Sequence, residues 1–473
     1  MREVDLFGTD LRAISPIVSS MRLINCHYIV DPSLEKGRVL VSFHGSEKFA
    51  YLGSEKIRSI YTTSNGEGVY VITGNKVYKL SKGGVFNFIG NIETTDTFIQ
   101  MADSGQELII VDSSGGYIVD ITKPVEQQTL VKITDPDFPP EPTGVIFNTG
   151  RFLVTSVTNA RFYGSDIYDG LSWDGLNFAS AETYPDNIVA IVNGNFGTFY
   201  LMGTATTEIW YNTGGADFPY ALMSGGVLNY GCTLSPDSII RLGEEIIFLG
   251  NSQAEGKAFY SISGQQVRNI TNPEMYEVLR NIRFPDFHKA VGYSDNGIPI
   301  FQVTFKETGK TYFYDARIGM WGERISRGLK GHVYELGTYS YGQQFFTSSE
   351  DGTVFKLNPL ITKDGDYFQD LEFIGRHTSI GEERFVVDAI QFKMEVGQGK
   401  INDYNQAPIA VLSYSKDGGW TWTPEIFGSM GKIGDYLIRL IWRRLGTCRD
   451  IVFKLKITDR VERRIISAFM LIR

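Results

Sequence analysis

The sequence predicts an all-β chain, a β-propeller followed by a C-terminal β-sandwich-like module. Three observations carry that prediction. Glycine supplies 51 of 473 residues, about 11% against a usual ~7%, and aromatic residues reach 13%, which suits short strands and tight turns. Strand–turn–strand units recur with first strands centred near 70, 110, 153, 199, 247, 301 and 346. That spacing, roughly 40 to 54 residues with two or more strands per unit, marks a propeller. After about residue 371 the strands lengthen and the spacing is lost.

The units can be justified in chain order. GVYVITGNKVYKL (68–80) reads as two alternating strands around a Gly-Asn turn. ELIIVDSSGGYIVDI (107–121) repeats the shape around Ser-Ser-Gly-Gly. Further units start at Arg151, Phe196, Glu245, Ile298 and Gln343. A single small twisted sheet cannot bury both faces, and radial packing of blades does. Seven units are counted between residues 43 and 370, and the degeneracy of the repeats leaves six as the other count. Residues 1–42 read as an N-terminal arm or closing-strand region. Residues 371–473 read as the sandwich, from FVVDAIQFKMEVG, PIAVLSYSKDGGWTW, DYLIRLIWRRLG, DIVFKLKIT and RIISAFMLIR. The best helical signal is TNPEMYEVLRNI (271–282), with Asn272 to cap, Pro273 at the first turn, and Met275, Val278, Leu279 and Ile282 on one face. SPDSIIRL (235–242) reads as a turn or two of helix.

Composition excludes several classes. Cys26, Cys232 and Cys448 are far apart and form neither a disulfide framework nor a zinc spacing. The five histidines are equally scattered, so no metal or cofactor is expected. No apolar run approaches a membrane span, and MREVDLFGTDLRAIS lacks the apolar core of a signal peptide. A soluble protein made in a reducing compartment is the expectation. The net charge is −9, yet residues 432–473 carry eleven Lys/Arg against four Asp/Glu. A basic end on an acidic body points to an interaction surface.

That surface gives the first candidate site. IWRRLGTCRDIVFKLKI (441–457) holds Arg443, Arg444, Arg449, Lys454 and Lys456. Docking to another protein leads, ahead of a solvated face and contact with nucleic-acid phosphates. ITDPDFPPEPTG (133–144) is an extended connection, and Pro136, Phe138, Pro139, Pro140 and Pro142 are candidates for contact with a neighbour or appendage. Ser415, Asp417, Gly419, Thr421 and Trp422 fit SxDxGxTW, the Asp-box, a structural hairpin of sialidase-like propellers whose carboxylate ties the turn. The adjacent acids Glu244-Glu245 and Glu382-Glu383 point to opposite faces of a strand and make no two-carboxylate site. GSMGKIG (428–434) lacks phosphate-loop spacing and reads as a strand connection. No catalytic residue is nominated.

The order of segments resembles the packaged-DNA stabilisation family, the tail hub or nozzle of short-tailed bacteriophages (podoviruses). INCHYIVDPSLEKGRVLVSFHGSEKF (24–49) is similar to the family's opening, and the 68–80 hairpin comes next. YPDNIVAIVNGNFGTFYLMGTATTEIWYNTG (184–214) resembles its central motif, a Pro-Asp turn leading to a hairpin that ends in Thr207, Glu208, Ile209 and Trp210. RRLGTCRDIVFKLKIT (443–458) resembles its closing strand pair. Cys448 and the Met202-Gly203 pair stand in motif positions without evident chemical need, and the Asp-box is not a mark of the family.

The resemblance implies a non-enzymatic virion protein, made in the host cytoplasm. Six copies would form a ring below the portal and its head-to-tail adaptor. The ring would extend the channel for double-stranded DNA without sequence-specific binding and help retain packaged DNA. It would also carry the tail needle or plug and the tailspikes or fibres. The basic residues 443–456 would then dock the adaptor. The rival reading, from the Asp-box and aromatic content, is a carbohydrate-binding or glycan-cleaving propeller, which needs charged residues converging on a central pocket.

Overall fold

The computed structural model describes every residue except 9–14, 16–18, 35–36, 96–97, 157, 182–186, 216–217, 234–235, 284–287, 382 and 401–405. The motif residues Tyr184, Pro185 and Asp186, together with Ser235 and Glu382, lie outside the described residues.

Among the described residues seven blades form the propeller. Blade 1 runs from strand Ile57–Thr62 to Phe86–Asn91, and blade 2 from Gln100–Asp103 to Leu130–Lys132. Blade 3 runs from Pro142–Asn148 to Asp169–Ser180, and blade 4 from Ile188–Asn193 to Tyr220–Leu228. Blade 5 runs from Gly231–Cys232 to Gln266–Asn269, and blade 6 from His288–Asp295 to Met320–Arg324. In blade 7 the strands Tyr334–Ser340, Gln343–Ser348 and Thr353–Asn358 are completed by Gly45–Tyr51 from the N-terminal side.

Each first strand expected from sequence is the second strand of its blade. These strands are packed on both faces, so they read as apolar runs: Val69–Thr73 is buried at all five positions. The alternation expected across residues 68–80 is therefore absent from its first half. The helix Pro273–Asn281 forms as its caps predict, with the Asn272 side chain accepting from the Met275 N–H at 2.8 Å. Met275 and Leu279 pack between Phe259 of blade 5 and Phe301 and Trp321 of blade 6, which explains the longest interval between blades.

The ring closes through a strand from the other end of the propeller sequence. Gly45 pairs with Asn358 and Tyr51 with Thr353. Blades 7 and 1 then share one core, in which Phe345 and Val354 meet Ile57, Val69 and Leu80. The Thr62 and Thr338 hydroxyls, 2.7 Å apart, join the two innermost strands.

The second module packs two sheets around Leu40, Phe392, Trp442 and Ile465 on one side and Phe373, Leu412, Phe453 and Leu455 on the other. The first sheet orders Cys26–Val30, Arg38–Ser42, Arg464–Ile472, Phe385–Met394 and Leu440–Cys448, with Arg2–Val4 also on Arg464–Ile472. The second is continuous with blade 6. Met320–Arg324 pairs in parallel with Arg22–Ile24, which leads through Leu371–Ile374, Asp450–Ile457 and Ile409–Ser415 to the edge strand Ile426–Ser429. N-terminal strands thus build the sandwich as well as the propeller, and one sheet runs through both.

Polar side chains pin the junction. Asn25, at φ 54°, donates from Nδ2 to the carbonyls of Ile325 at 2.8 Å and Asp370 at 2.9 Å, and its Oδ1 accepts from the Ile325 N–H. Asparagine tolerates that left-handed conformation better than most residues. The Gln369 amide donates to Asp364 at 2.8 Å and to the His44 carbonyl at 3.2 Å, and it accepts from Arg324.

Candidate interaction surfaces

The basic residues lie close in sequence but are divided between the two sheets. Leu440 and Trp442 point into the sandwich core, so Arg443 stands on the outer face of the first sheet, beside Ala389 and Leu471 in register. A bulge between the Ala389 and Val387 pairings puts Arg444 at φ 63°, and both arginines remain exposed. Lys454 and Lys456 lie on the outer face of the second sheet, since Phe453, Leu455 and Ile457 fill the core. The Lys454 ammonium sits 4.6 Å from the centre of the Trp422 ring, and Lys456 is paired in register with Glu372. Arg449 is exposed in the link between the two strands. Packed sheets lie ~10 Å apart, so the lysines face away from Arg443 and Arg444. Among the described residues Arg443, Arg444 and Arg449 make no salt bridge.

The proline-rich connection joins blade 2 to blade 3. Phe138 packs edge-on against Trp173 at 4.9 Å, and Pro139 and Pro142 are buried. The Asp135 carboxylate accepts from the Trp173 N–H at 3.0 Å. Gly116 lies under Phe138, where a Cβ would come within 2.5 Å of the ring. Pro136 and Pro140 remain exposed, and they are the two candidates of that set open to a partner.

The SxDxGxTW segment forms a tied turn. Asp417 accepts from the Ser415 hydroxyl at 2.6 Å and from the N–H groups of Trp420 at 3.0 Å and Thr421 at 2.9 Å. The Thr421 hydroxyl donates to its other oxygen at 2.5 Å, and Gly419 N–H donates to Ser415. The Ser415 hydroxyl, then Thr421, hold this carboxyl well below the usual range. Trp422 lies over Lys454. All the oxygens are used within the turn, on the sandwich and outside the propeller.

A cavity of about 860 Å³ opens where blades 5, 6, 7 and 1 meet. Lys56, Lys289, Lys306 and Lys330 line it together with Asp237, Glu335 and Glu350. Lys289 pairs with Glu335 at 3.5 Å, and burial pushes the Asp237 carboxyl up although Gln100 donates to it at 3.0 Å. Among the described residues no group of three or more His, Cys, Asp or Glu could hold a metal, and no helix is long and apolar enough to cross a membrane.

Two apolar surfaces carry no clear mark in the sequence. On the sandwich, Phe427 is 68% exposed, Tyr436 68% and Leu437 96%. On blade 3, Ile167 is 65% exposed, Tyr168 55% and Leu176 81%. For Ile167, Tyr168, Tyr436 and Leu437 the one signal is an apolar residue in a Gly- and Asp-containing turn or loop, and Phe427 and Leu176 lie within edge strands.

Two family models match the chain. One described as bacteriophage P22 Gp10, β-propeller, matches residues 19–358, and one described as bacteriophage P22 Gp10, β-sandwich, matches residues 370–472. No curated protein matches the chain. Among solved structures, the β-propeller domain of Cps50 (Swd1) from Myceliophteria thermophila is 11% identical, covering 66% of this chain and 100% of its own, at a TM-score of 0.44. The WD40 propeller domain of Doa1 is 9% identical over 67% of this chain and 97% of its own, at 0.41. The extracellular domain of the putative hybrid two-component system BT4673 from B. thetaiotaomicron is 10% identical over 76% and 45%, at 0.42. Likenesses this distant carry no argument about function.

Proposed function

The chain belongs to the packaged-DNA stabilisation family of phage tail proteins, that of bacteriophage P22 Gp10, and on that premise we propose that it is the structural nozzle of a short-tailed phage. Six copies form a ring below the portal and its adaptor, continue the DNA channel and help hold packaged DNA. The ring carries the needle or plug and the tailspikes or fibres. The role is mechanical, so its free energy lies in interfaces and no catalysis is assigned to it.

One observation carries the reading. The two family models succeed each other over nearly the whole chain, propeller first and sandwich second. The physics agrees with a load-transmitting part. A sheet continuous from blade 6 into the sandwich, pinned by Asn25 and Gln369, makes propeller and sandwich a single block. A ring of such blocks has heterologous, closing interfaces. An excess of acid over base, −9 overall, favours passage of DNA without adhesion, because like charges repel. Arg443, Arg444 and Arg449 are exposed cations that an acidic protein surface could meet.

Cryo-electron microscopy of the intact tail tests this. Six copies around a DNA-width channel below the portal are expected. Absence of the chain from the tail ends the reading, and a lumen lined with basic residues ends the argument about DNA passage.

A further inference from the structure

Two exposed surfaces of this chain complement each other in both charge and polarity. The first is the open edge of the sandwich, residues 426–449. It ends the second sheet at Ile426–Ser429 and continues through the loop to the outer edge strand Leu440–Cys448. Phe427, Ile433, Tyr436 and Leu437 are exposed there. Lys432, Arg439, Arg443, Arg444 and Arg449 stand against the single carboxylate of Asp435. An edge strand with exposed apolar side chains is a docking template unless something covers it.

The second surface is the flank of blade 3, residues 133–180. Its outermost strand, Asp169–Ser180, is the outer edge of a four-stranded sheet. Ile167, Tyr168, Leu171 and Leu176 are exposed on it and on the turn that precedes it. The stretch holds six carboxylates against two guanidiniums. Asp166, Asp169 and Asp174 are exposed. Arg151 is buried, and Arg161 lies over the Phe178 ring at 4.3 Å.

These surfaces belong to separate sheets, and no strand of one packs on a strand of the other among the main contacts of the described residues. The sandwich grows out of blade 6, and blade 3 is three places away around a seven-bladed ring. One copy therefore cannot satisfy itself. We propose that the cationic, apolar sandwich edge of one copy docks on the acidic, apolar flank of blade 3 of a second copy. The contact is heterologous, so each copy offers one free face at either end and copies add head to tail. Phe427, Tyr436 and Leu437 meet Ile167, Tyr168 and Leu176 at its centre, and the arginines face the Asp166–Asp174 carboxylates at its rim. The proposal deepens the ring reading: it names a second copy, rather than the adaptor, as the acidic surface that Arg443 and Arg444 meet.

Cysteine cross-linking tests it. Leu437→Cys and Leu176→Cys replace exposed side chains, and the native Cys26, Cys232 and Cys448 are buried. A short bis-maleimide is applied to the double variant, both as purified full chain and in particles. Cross-linking beyond the dimer is expected from the double variant and none from either single variant, since each copy supplies one half of two contacts. Adding Arg443→Glu should reduce the yield several-fold, as should 1 M salt. Dimers from a single variant would overturn the proposal, and so would cross-links from Leu437→Cys to a different tail protein. No ladder, with the chain present in tails, overturns this interface and leaves the nozzle reading standing. A ladder in the purified chain, with the chain absent from tails, does the reverse. Neither a ladder nor a place in the tail ends both.

Discussion

The buried guanidinium of Arg463 donates to the main-chain carbonyl of Gln369 at 2.6 Å, and so ties the last strand pair of the sandwich to the segment that leaves the propeller. Its other terminal nitrogen donates to the Asp459 carbonyl at 2.8 Å. Burial lowers its pKa to about 10, so it remains a cation at neutral pH. Arg463→Ala leaves a hole and two unpaired carbonyls, an expected loss of about 3 to 5 kcal/mol. Urea unfolding should then split into separate propeller and sandwich transitions, with faster proteolysis near residues 359–370. A single transition at the wild-type midpoint would show that this tie does not couple the modules.

The middle strand of each blade was legible because burial on both faces leaves an apolar run flanked by turns, as at Val69–Thr73 and Glu107–Asp112. The helix was legible from Asn272 and Pro273. Pairings across the chain were not. Gly45–Tyr51 finds its partner some 300 residues later, and Cys26–Val30 and Arg38–Ser42 join a sheet with the last strand. Nothing local marks such a partner. The same limit applies to the candidate surfaces. Arg443 and Lys454 are near neighbours in sequence, but the link through Arg449 crosses from one sheet to the other. Phe138 sits among prolines, and only the position of Trp173 shows that it is packed inward.

His27 is buried against Phe43 at 4.6 Å, and among the described residues both ring nitrogens lack a hydrogen-bond partner. Burial lowers its pKa to about 4. A folded-state value below the unfolded ~6.5 means that its contribution is intact above pH 6.5. It is lost as pH falls from there towards 4, because the unfolded chain takes up a proton that the folded chain refuses. His27→Leu removes both the orphaned nitrogens and that titration. The variant should be more stable than wild type at pH 7, by about 1 to 2 kcal/mol. The gap should widen by roughly 3 kcal/mol at pH 4. Urea titrations at the two pH values check this, and a pH-independent gap would refute the assignment.

Asp417 organises its turn with five hydrogen bonds, all to Ser415, Trp420 and Thr421. Asp417→Ala should therefore free the turn locally. Exchange at the amides of Trp420 and Thr421 should accelerate about tenfold or more, while amides of the core strand Asp450–Ile457 stay as protected as before. Loss of protection throughout the sandwich would show that the turn bears on the whole module.

Ring closure depends on a close backbone approach at Gly45. Its N–H donates to the Ile361 carbonyl at 2.7 Å, and a Cβ there would come within 2.2 Å of the Lys363 carbonyl oxygen and 2.6 Å of its nitrogen. Backbone cannot yield as a flexible side chain can. Gly45→Val should displace the closing strand from Thr353–Asn358 and expose the core shared by blades 7 and 1, at a cost of about 3 kcal/mol or more. Gly83 is the control: it has ordinary φ and only the Ser81 hydroxyl near its Cβ position, at 3.9 Å, so Gly83→Ala should be close to neutral. Thermal unfolding measures the stability, and proteolysis between residues 52 and 56 reports release of the strand. Unchanged stability and protection in Gly45→Val would mean that the ring is held shut without the N-terminal strand.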